Sequence, residues 1–304
     1  MGTHAVELRD VTKTFGTHVA VDALSLDVPA GCIYGFIGPN GSGKTTTLRM
    51  IVNILLPDRG DIRLFGARPA GPCSQRIGYL PEERGLYKKM KVRDVLRFYG
   101  KLKEAAEVNR TVDGWLERLG LAEWADKPVE ALSKGMSQKV QFIAAVVCRP
   151  ELLILDEPFT GLDPVAADEL GRAITELRAQ GTTIILSTHD MNVAESMGDF
   201  IFMIYRGKKV LDGTLASIQD RYGTDLVRVR LEDGGSLPEL PGVVQRAQQG
   251  PWHELRLAAG ANSQAVLAAL ATGARVRHFE LARPSLHDIF VRIARPEAEE
   301  VGHA

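Results

Sequence analysis

The sequence contains few cysteines and little net charge. Its cysteines, Cys32, Cys73 and Cys148, lack the close spacing of metal ligands, and we expect them to serve as small apolar side chains in a reducing compartment. Lysine and arginine number 37 against 38 acidic residues, which gives a formal net charge of −1. Because no overall positive field would recruit nucleic acid or anionic lipid, we expect no nucleic-acid partner.

Long hydrophobic runs are also missing. No apolar run approaches the roughly 18 residues of a membrane-spanning helix, and the opening residues, MGTHAVELRD, lack the apolar core of a signal peptide. We therefore expect a cytoplasmic protein that would need a membrane-spanning partner to act at a membrane. Hydrophobic residues make up 45% of the 304 residues, enough for a large core. This length predicts about two domains.

The segment from Gly31 to Leu56 has the pattern of a strand, a loop and a helix. The apolar run at 32–37 predicts a buried strand, and apolar residues at helical spacing follow the loop: Leu48, Ile51, Val52 and Leu55. Between them, GPNGSGKT at 38–45 matches the phosphate-binding pattern GxxxxGK followed by Ser or Thr. A glycine-rich structural turn is the alternative, but it does not account for the strand and the helix together.

The chemistry of a triphosphate explains these residue types. Gly38, Gly41 and Gly43 let backbone N–H groups approach the phosphates closely. The helix that follows directs its free N–H groups toward them. Lys44 adds a positive charge near the β and γ phosphates, and the Thr45 hydroxyl is a ligand for Mg²⁺. The sequence therefore predicts a site for a nucleoside triphosphate with Mg²⁺.

Acidic residues end a second apolar run. Residues 152–155 predict a buried strand that places Asp156 and Glu157 at the carboxyl edge of the sheet, where open parallel sheets bind ligands. We expect Asp156 to hold Mg²⁺ through water and Glu157 to act as general base for the attacking water. His189 follows the next predicted strand, 182–187, so its imidazole can bond the γ-phosphate and help to order that water. An acidic structural turn and a structural histidine are the alternatives.

The chain around these motifs alternates strands with helices, which is typical of an α/β fold. Two strands are predicted within 5–30, followed by short strands at 61–65 and 77–80 and a hairpin at 200–211. The turn between the first two strands carries Phe15. This ring either packs at the edge of the core or stacks on a nucleotide base.

A helical block interrupts the strands. Apolar residues at helical spacing run through 91–149, with a polar connection at 101–110. We therefore predict a helical subdomain, at about 88–150, inserted into the sheet. Asp163 and Pro164 then start a further helix, since Asp is a favoured N-cap and Pro a favoured first residue.

The pattern changes near residue 215. Short strands are predicted at 226–231, 252–257 and 275–281, and helices at 263–271 and 284–294. We therefore divide the chain into an ATP-binding domain, residues 1–215, and a small α+β accessory domain, residues 216–304. The last residues, from 295, form a polar tail.

Together these motifs resemble the ATP-binding subunits of ABC transporters. GPNGSGKT matches their phosphate loop, LSKGM (132–136) their signature motif, ILDEP (154–158) their acidic motif, GLD (161–163) their D-loop and STHD (187–190) their switch histidine. The match spans roughly residues 5–215. The stretch FELARPSLHDIF, at 279–290, is similar to the C-terminal extension of exporter-type subunits, as in sodium and drug efflux systems.

The resemblance implies a P-loop NTPase fold: a RecA-like core with an antiparallel β subdomain and the inserted helical subdomain. It implies a homodimer in which each ATP lies between the phosphate loop of one copy and Ser133 and Gly135 of the other. It implies an ABC-2 type transmembrane permease as partner, at the inner face of the cell membrane. The ATP-contacting residues that it implies are Phe15, Gly38, Pro39, Asn40, Gly41, Ser42, Gly43, Lys44, Thr45, Thr46, Ser133, Gly135, Met136 and Asp163.

Three residues depart from the family pattern. Lys134 replaces the first signature glycine and Met136 the signature glutamine, which bears on turnover and dimer affinity. Glu82 stands where the family has its Q-loop glutamine, because Gln75 lies seven residues too early. A carboxylate at that position can approach Mg²⁺ but adds negative charge beside it, so we predict that Glu82→Gln changes the Mg²⁺ dependence.

The loop after Glu82 mixes basic and apolar side chains: Arg84, Leu86, Tyr87 and Met90. By resemblance, this loop docks a cytoplasmic helix of the permease. A solvated loop with anchors in the core is the alternative.

We predict an ATPase that powers export through a separate membrane subunit. A soluble ABC-type ATPase in DNA repair, chromosome organisation or translation is a second hypothesis. Such proteins need a long coiled coil, a zinc module or a second cassette, and the sequence shows one cassette and none of these. A regulatory protein that binds ATP without turnover is a third hypothesis, against which Glu157 and His189 argue.

Overall fold

The chain forms two compact units, Met1–Thr214 and Leu215–Ala304. A computed structural model describes residues 4–69, 76–83, 85–223, 226–232, 237–258 and 260–294. Cys73, Gln75, Arg84 and the predicted polar tail lie outside these residues. Within them, no helix is long and apolar enough to cross a bilayer.

The first unit contains two sheets and a set of helices. Its strands are β1 (His4–Phe15), β2 (His18–Pro29), β3 (Ile33–Ile37), β4 (Arg59–Leu64), β5 (Ile77–Leu80), β6 (Leu152–Asp156), β7 (Thr183–Thr188), β8 (Phe200–Tyr205) and β9 (Lys208–Gly213). Its helices are α1 (Lys44–Ile51), α2 (Val92–Leu102), α3 (Val108–Arg118), α4 (Lys134–Val146), α5 (Pro164–Ala179) and α6 (Met191–Met197).

The order of the strands determines where the site lies. The larger sheet runs β5-β6-β7-β3-β8-β9, and its neighbours are parallel except for the antiparallel pair β8 and β9. The smaller sheet, β2-β1-β4, is antiparallel. Because β6, β7 and β3 are parallel neighbours, the loops after their last residues meet at one edge of the sheet. The predicted α/β fold with an antiparallel β subdomain is confirmed.

The central strands are apolar because both faces of the larger sheet are covered. Every residue of β3 and of β6 is buried, as expected for parallel strands that carry helices. On one face, the rings of Phe36 and Phe202 stack with their centroids 4.9 Å apart. This packing gives the loops at the sheet edge a rigid base.

The helical block is an insertion, as predicted. It lies between β5 and β6 in sequence, yet these strands are hydrogen-bonded neighbours in the sheet. Its helices pack on each other through apolar side chains, including Trp115 and Phe142, whose rings meet edge to face at 5.7 Å. The prediction of a polar connection at 101–110 is wrong at both ends, because the neighbouring helices extend into it. Helix α2 ends at Leu102, and α3 already begins at Val108, which packs against the core and starts the apolar stripe of this helix.

Helix α1 is shorter than its apolar pattern predicts. It ends at Ile51, and Asn53 adopts a left-handed backbone with φ of +58°. The N–H groups of Ile54 and Leu55 both donate to the carbonyl oxygen of Arg49, at 2.9 and 3.1 Å, which closes the helix. Leu55 still contacts the core, so its apolar character reflects packing beyond the helix end.

The second unit is an antiparallel sheet with helices. Its elements are α7 (Leu215–Arg221), β10 (Leu226–Leu231), β11 (Val243–Gln249), β12 (Trp252–Leu257), α8 (Ser263–Gly273), β13 (Val276–Ala282) and α9 (Leu286–Ala294). The strand order is β11-β12-β10-β13. The predicted α+β character is confirmed, but α7 and β11 were not predicted. The sequence of β11, VVQRAQQ, is mostly polar and therefore gives no apolar alternation.

Candidate active site

A cleft of about 380 Å³ is lined by half of the predicted site residues. Its lining includes Phe15, His18, Ala20, Asn40, Gly41, Gly43, Lys44, Thr45, Thr46, Glu82 and Glu157. A larger cleft of about 780 Å³, beside Trp115 and Arg149, is lined by none of the predicted site residues. Size alone therefore does not identify the site, whereas the phosphate loop and the acidic side chains do.

The phosphate loop is held close against neighbouring backbone. A Cβ atom on Gly43 would lie 2.4 Å from the carbonyl oxygen of Ala20, and one on Gly38 would lie 2.3 Å from that of Ile204. Real Cβ atoms do not approach so closely, so both positions require glycine. The two glycines let the loop pass between β2 and β8 and then enter α1, whose first residue is Lys44.

Lys44 lies inside this loop. Its Nζ donates to the carbonyl oxygens of Gly38 and Pro39, at 2.7 and 3.2 Å. Burial lowers the pKa of Lys44, and the nearby carboxylates of Glu157, Asp156 and Glu82 act in the opposite direction. The carbonyls hold the ammonium where phosphate oxygens can replace them as acceptors.

Asp156 is buried with unsatisfied oxygens. Neither its Oδ1 nor its Oδ2 has a hydrogen-bond partner among the described residues, and the same holds for the Ser187 hydroxyl. Burial raises the pKa of Asp156, although the hydroxyls of Ser187 and Thr45 lie near enough to lower it. Unpartnered buried oxygens are costly unless a cation or a water satisfies them. Carboxylate and hydroxyl oxygens are the ligands that Mg²⁺ prefers, so these residues fit that ion.

Glu157 and His189 are in direct contact. The Nδ1 atom of His189 lies 2.8 Å from Oε1 of Glu157, and the backbone N–H of His189 donates to the same oxygen at 2.9 Å. The backbone of Glu157 is left-handed, with φ of +52°, and its N–H donates to the carbonyl oxygen of Ser187 at 3.0 Å. The adjacent strands β6 and β7 therefore fix both side chains at the sheet edge, with the imidazole more exposed than the carboxylate.

Glu82 and Phe15 also line the cleft. Glu82 is exposed; its charge partly opposes the lowering of the Lys44 pKa by burial and adds to the raising of the Asp156 pKa by burial. Phe15 is 49% exposed, which favours a stacking ring over a core-edge residue. The Nζ atom of Lys13 lies 5.7 Å from the centroid of this ring.

The predicted signature and D-loop residues do not line this cleft. Ser133 caps α4 and its Oγ accepts the N–H of Met136 at 3.2 Å. Gly135 lies in the first turn of the same helix. Asp163 caps α5, where the N–H of Ala166 donates to its carboxylate at 2.9 Å and lowers its pKa. One copy of the chain thus holds these groups apart from its own phosphate loop.

Sequence reasoning missed two contacts between α4 and the loop after Glu157. The buried amide of Gln138 donates through Nε2 to the carbonyl oxygen of Pro158 at 3.1 Å. The side chain of Lys134 lies over Gly161, because a Cβ atom there would come within 2.5 Å of Lys134 Cε. A glutamine within an apolar helix face was the available signal for the first contact.

The loop before α2 combines buried and exposed side chains. Leu86 and Met90 are partly buried against the core of the helical block. Tyr87 is 54% exposed and is not such an anchor. The predicted role of this loop in docking stays a prediction.

Known proteins resemble this chain along most of its length. The family model ABC transporter matches residues 21–160, and the model ATP-binding protein DrrA1-3-like, C-terminal domain, matches residues 213–294. YhaQ, an ABC transporter ATP-binding protein of Bacillus subtilis, is 43% identical over 92% of this chain and 95% of its own. Nod factor export ATP-binding protein I of Paraburkholderia xenovorans is 36% identical over 97% and 99% of the two chains.

A drug-resistance protein and a solved structure are also similar to this chain. The daunorubicin/doxorubicin resistance ATP-binding protein DrrA of Streptomyces peucetius is 30% identical over 98% of this chain and 94% of its own. A solved ATP-binding subunit of an ABC transporter covers 72% of this chain and 93% of its own, with 32% identity and a TM-score of 0.68. The chain therefore belongs to the ABC transporter family. It is an ATP-binding subunit, an ATPase coupled to transport that partners a transmembrane permease.

Proposed function

We propose that the chain powers export of a solute through a separate ABC-2 type permease, and that ATP closes two copies of the chain into a homodimer. The observation that carries this proposal is the division of the site. The phosphate loop and Glu157 line one cleft, with Asp156 buried near Lys44, whereas Ser133 and Gly135 lie outside it. The relatives named for Nod factor export and for daunorubicin/doxorubicin resistance extend through both domains and support the direction of transport.

Binding begins at the phosphate loop. Backbone N–H groups at the start of α1 and the ammonium of Lys44 surround the β and γ phosphates. The exposed ring of Phe15 supplies a face on which the base stacks. The remaining contacts follow the loop from Gly38 to Thr46.

Thr45 and Asp156 are the residues that would hold Mg²⁺, with Glu82 within reach. The bound ion would supply positive charge that stabilises the phosphate oxygens during transfer. The unpartnered oxygens of Asp156 and the hydroxyls beside it fit this role. Glu82 differs from them because it is exposed and adds a negative charge at the wall of the cleft.

Hydrolysis uses Glu157 as the general base. A water molecule attacks the γ-phosphorus and gives its proton to the Glu157 carboxylate, while the bond from phosphorus to the bridging oxygen of ADP breaks. His189 bonds to Oε1 of Glu157 through Nδ1, so it fixes the orientation of the carboxylate. Its other ring nitrogen, Nε2, remains to contact the γ-phosphate.

The second copy completes the site from the opposite side. Ser133 and Gly135 begin α4, a helix of 13 residues, and can offer a hydroxyl and N–H groups to the γ-phosphate of the other copy. ATP then joins the two copies, and hydrolysis removes the group that joins them. Opening of the dimer is the step that drives the permease.

We assign these roles to an ATP-binding domain at 1–215, with its helical subdomain at about 88–150, and an accessory domain at 216–304. The working location is the inner face of the cell membrane, where the permease holds the chain. A soluble ABC-type ATPase without a transport role is the competing function.

Co-purification tests the transport role. The chain is co-expressed with the polytopic membrane protein of a neighbouring reading frame, solubilised, and captured through a tag on the membrane protein. Export predicts a stable complex whose ATPase activity is lost in Glu157→Gln, with the complex itself intact. An active ATPase that never associates with the membrane protein would favour the competing function.

A further inference from the structure

Two residues of opposite charge lie on the two surfaces that the proposed dimer brings together. Lys134 is the first residue of α4, directly after the N-cap Ser133, and Glu82 lines the nucleotide cleft. Both replace neutral residues of the family pattern, a glycine and a glutamine. Neither side chain forms an ion pair with any described residue. A single copy therefore leaves both charges without a partner among the described residues.

The position of Lys134 is electrostatically unfavourable within one copy. The N-terminus of an α-helix carries partial positive charge, so acidic side chains stabilise the first turn and basic side chains destabilise it. The first turn of α4 contains no acid and begins with Lys134. The lysine side chain is exposed and lies over Gly161, with its Nζ 2.9 Å from the place that a Cβ atom on this glycine would take. Gly161 supplies no opposite charge, so the ammonium remains uncompensated.

Glu82 is unfavourable because of the ligand that its cleft is proposed to hold. Among the described residues that line the cleft, Lys44 alone carries a permanent positive charge. Glu157 lines the same cleft and Asp156 is buried near Lys44, so Glu82 adds a further carboxylate where an anionic triphosphate binds. The buried, unpartnered oxygens of Asp156 fit Mg²⁺ better than the exposed carboxylate of Glu82 does. A second cation beside Glu82 would remove the repulsion.

We propose that Lys134 of each copy pairs with Glu82 of the other copy when ATP closes the dimer. Lys134 lies between Ser133 and Gly135, which the proposed function directs toward the γ-phosphate of the other copy. Glu82 lines the cleft that holds this phosphate. A lysine side chain is flexible, so the ammonium can leave Gly161 and reach the opposing carboxylate.

The proposal rests on the proposed function, because it needs two copies that face each other across ATP. Within that dimer, the pair adds a direct contact between the two chains to the contacts that are made through the nucleotide. The two departures from the family pattern then compensate each other, since each charge is unfavourable alone and favourable with the other. A chain that keeps only one of the two charges should close less tightly.

A double-mutant cycle on dimer affinity tests this pairing. Every variant carries Glu157→Gln, and the dissociation constant of the dimer is measured by sedimentation equilibrium at saturating Mg²⁺ and ATP. Lys134→Gln should weaken the dimer about hundredfold, because each pair contributes about tenfold and a twofold-symmetric dimer contains the pair twice. In a chain that already carries Glu82→Gln, the same change should weaken the dimer by less than about threefold.

Exchange of the two charges makes the test stricter. Lys134→Glu should leave the chain monomeric, and Lys134→Glu/Glu82→Lys should restore a dimer. Lys134→Arg keeps the positive charge and should dimerise within about threefold of the parent. Glu83→Gln is the matched control, because Glu83 is the adjacent exposed acid but does not line the cleft. This control should dimerise like the parent, and melting temperatures without nucleotide show whether each variant is folded.

Two results would overturn the proposal and leave the proposed function intact. Equal weakening by Lys134→Gln with and without Glu82→Gln would mean that the lysine acts on the phosphate and not on Glu82. An unchanged dimer in Lys134→Gln would mean that its charge has no partner in the other copy. In both cases the Glu157→Gln parent still dimerises with ATP. A parent that binds ATP and forms no dimer would instead overturn the proposed function together with this pairing.

Discussion

Replacing Gly43 with alanine should disable the phosphate loop, whereas the same change at Gly41 should not. A Cβ atom at Gly43 would lie 2.4 Å from the carbonyl oxygen of Ala20, which β2 holds in place. A Cβ atom at Gly41 would meet nothing within 4 Å. Both glycines have positive φ, +107° and +77°, so the two variants share backbone strain and differ in the collision.

The difference in stability between the two variants follows from the backbone strain and the steric overlap. Left-handed backbone costs an L residue about 1–2 kcal/mol, which both variants incur. Gly43→Ala adds steric overlap of about 1–3 kcal/mol, for a total of roughly 2–5 kcal/mol. Since each kcal/mol lowers the melting temperature of a unit of this size by about 2–4 °C, we expect a loss of about 2–8 °C for Gly41→Ala and up to about 20 °C for Gly43→Ala.

The assay combines thermal denaturation with ATP binding. Gly43→Ala should lose ATP affinity along with stability, because relief of the collision moves the N–H groups that face the phosphates. Gly41→Ala should keep most of its affinity. Equal melting temperatures and equal ATP affinities for the two variants would refute the close packing of Gly43 against the carbonyl oxygen of Ala20 in β2.

Other substitutions test the acidic groups and the signature helix. Glu82→Gln should shift the Mg²⁺ titration of ATPase activity, and an unchanged titration would remove Glu82 from the site. Asp156→Asn should abolish hydrolysis yet raise the melting temperature at neutral pH, because burial raises the pKa of Asp156 and so penalises its charged form. Protonated Asp156 contributes its full stability to the folded state below its ordinary pKa of 3.8, and this contribution is lost as pH rises through the raised pKa. The gain in melting temperature of Asp156→Asn over the parent should therefore shrink on acidification. A gain in melting temperature that does not depend on pH would contradict this. Gly161→Ala should be destabilised mainly by strain of its left-handed backbone, φ +79°, because the end of the Lys134 side chain, whose Cε would lie 2.5 Å from the new Cβ, is flexible and can move aside. Lys134→Ala should therefore restore little of the lost melting temperature, and full recovery in the double variant would contradict this.

Residues next to strand ends were predictable, because an apolar run shows where a buried strand stops. The run LLILD is buried along its whole length and delivers Asp156 and Glu157 to the sheet edge. Direct contact between Glu157 and His189 was not predictable in the same way. It depends on β6 and β7 being neighbours, and strand order is set by packing across the whole sheet.

Contacts made by side chains far apart in sequence were harder still to foresee. Gln138 is one of several polar residues in α4, and only the fold shows that its amide donates to the carbonyl oxygen of Pro158. Strand β11 was missed because it lies at the edge of its sheet, where mostly polar residues suffice. The local sequence pattern therefore identified the site residues, while tertiary packing determined which side chains are in contact.

The association of two copies around ATP is the central claim, and light scattering on Glu157→Gln tests it most directly. This variant keeps the phosphate loop and Ser133 but lacks the general base, so bound ATP should persist. We expect a monomer without nucleotide and a dimer of about twice the mass with saturating Mg²⁺ and ATP, with Ser133→Glu remaining monomeric. A Glu157→Gln chain that binds ATP fully and still scatters as a monomer would contradict the account.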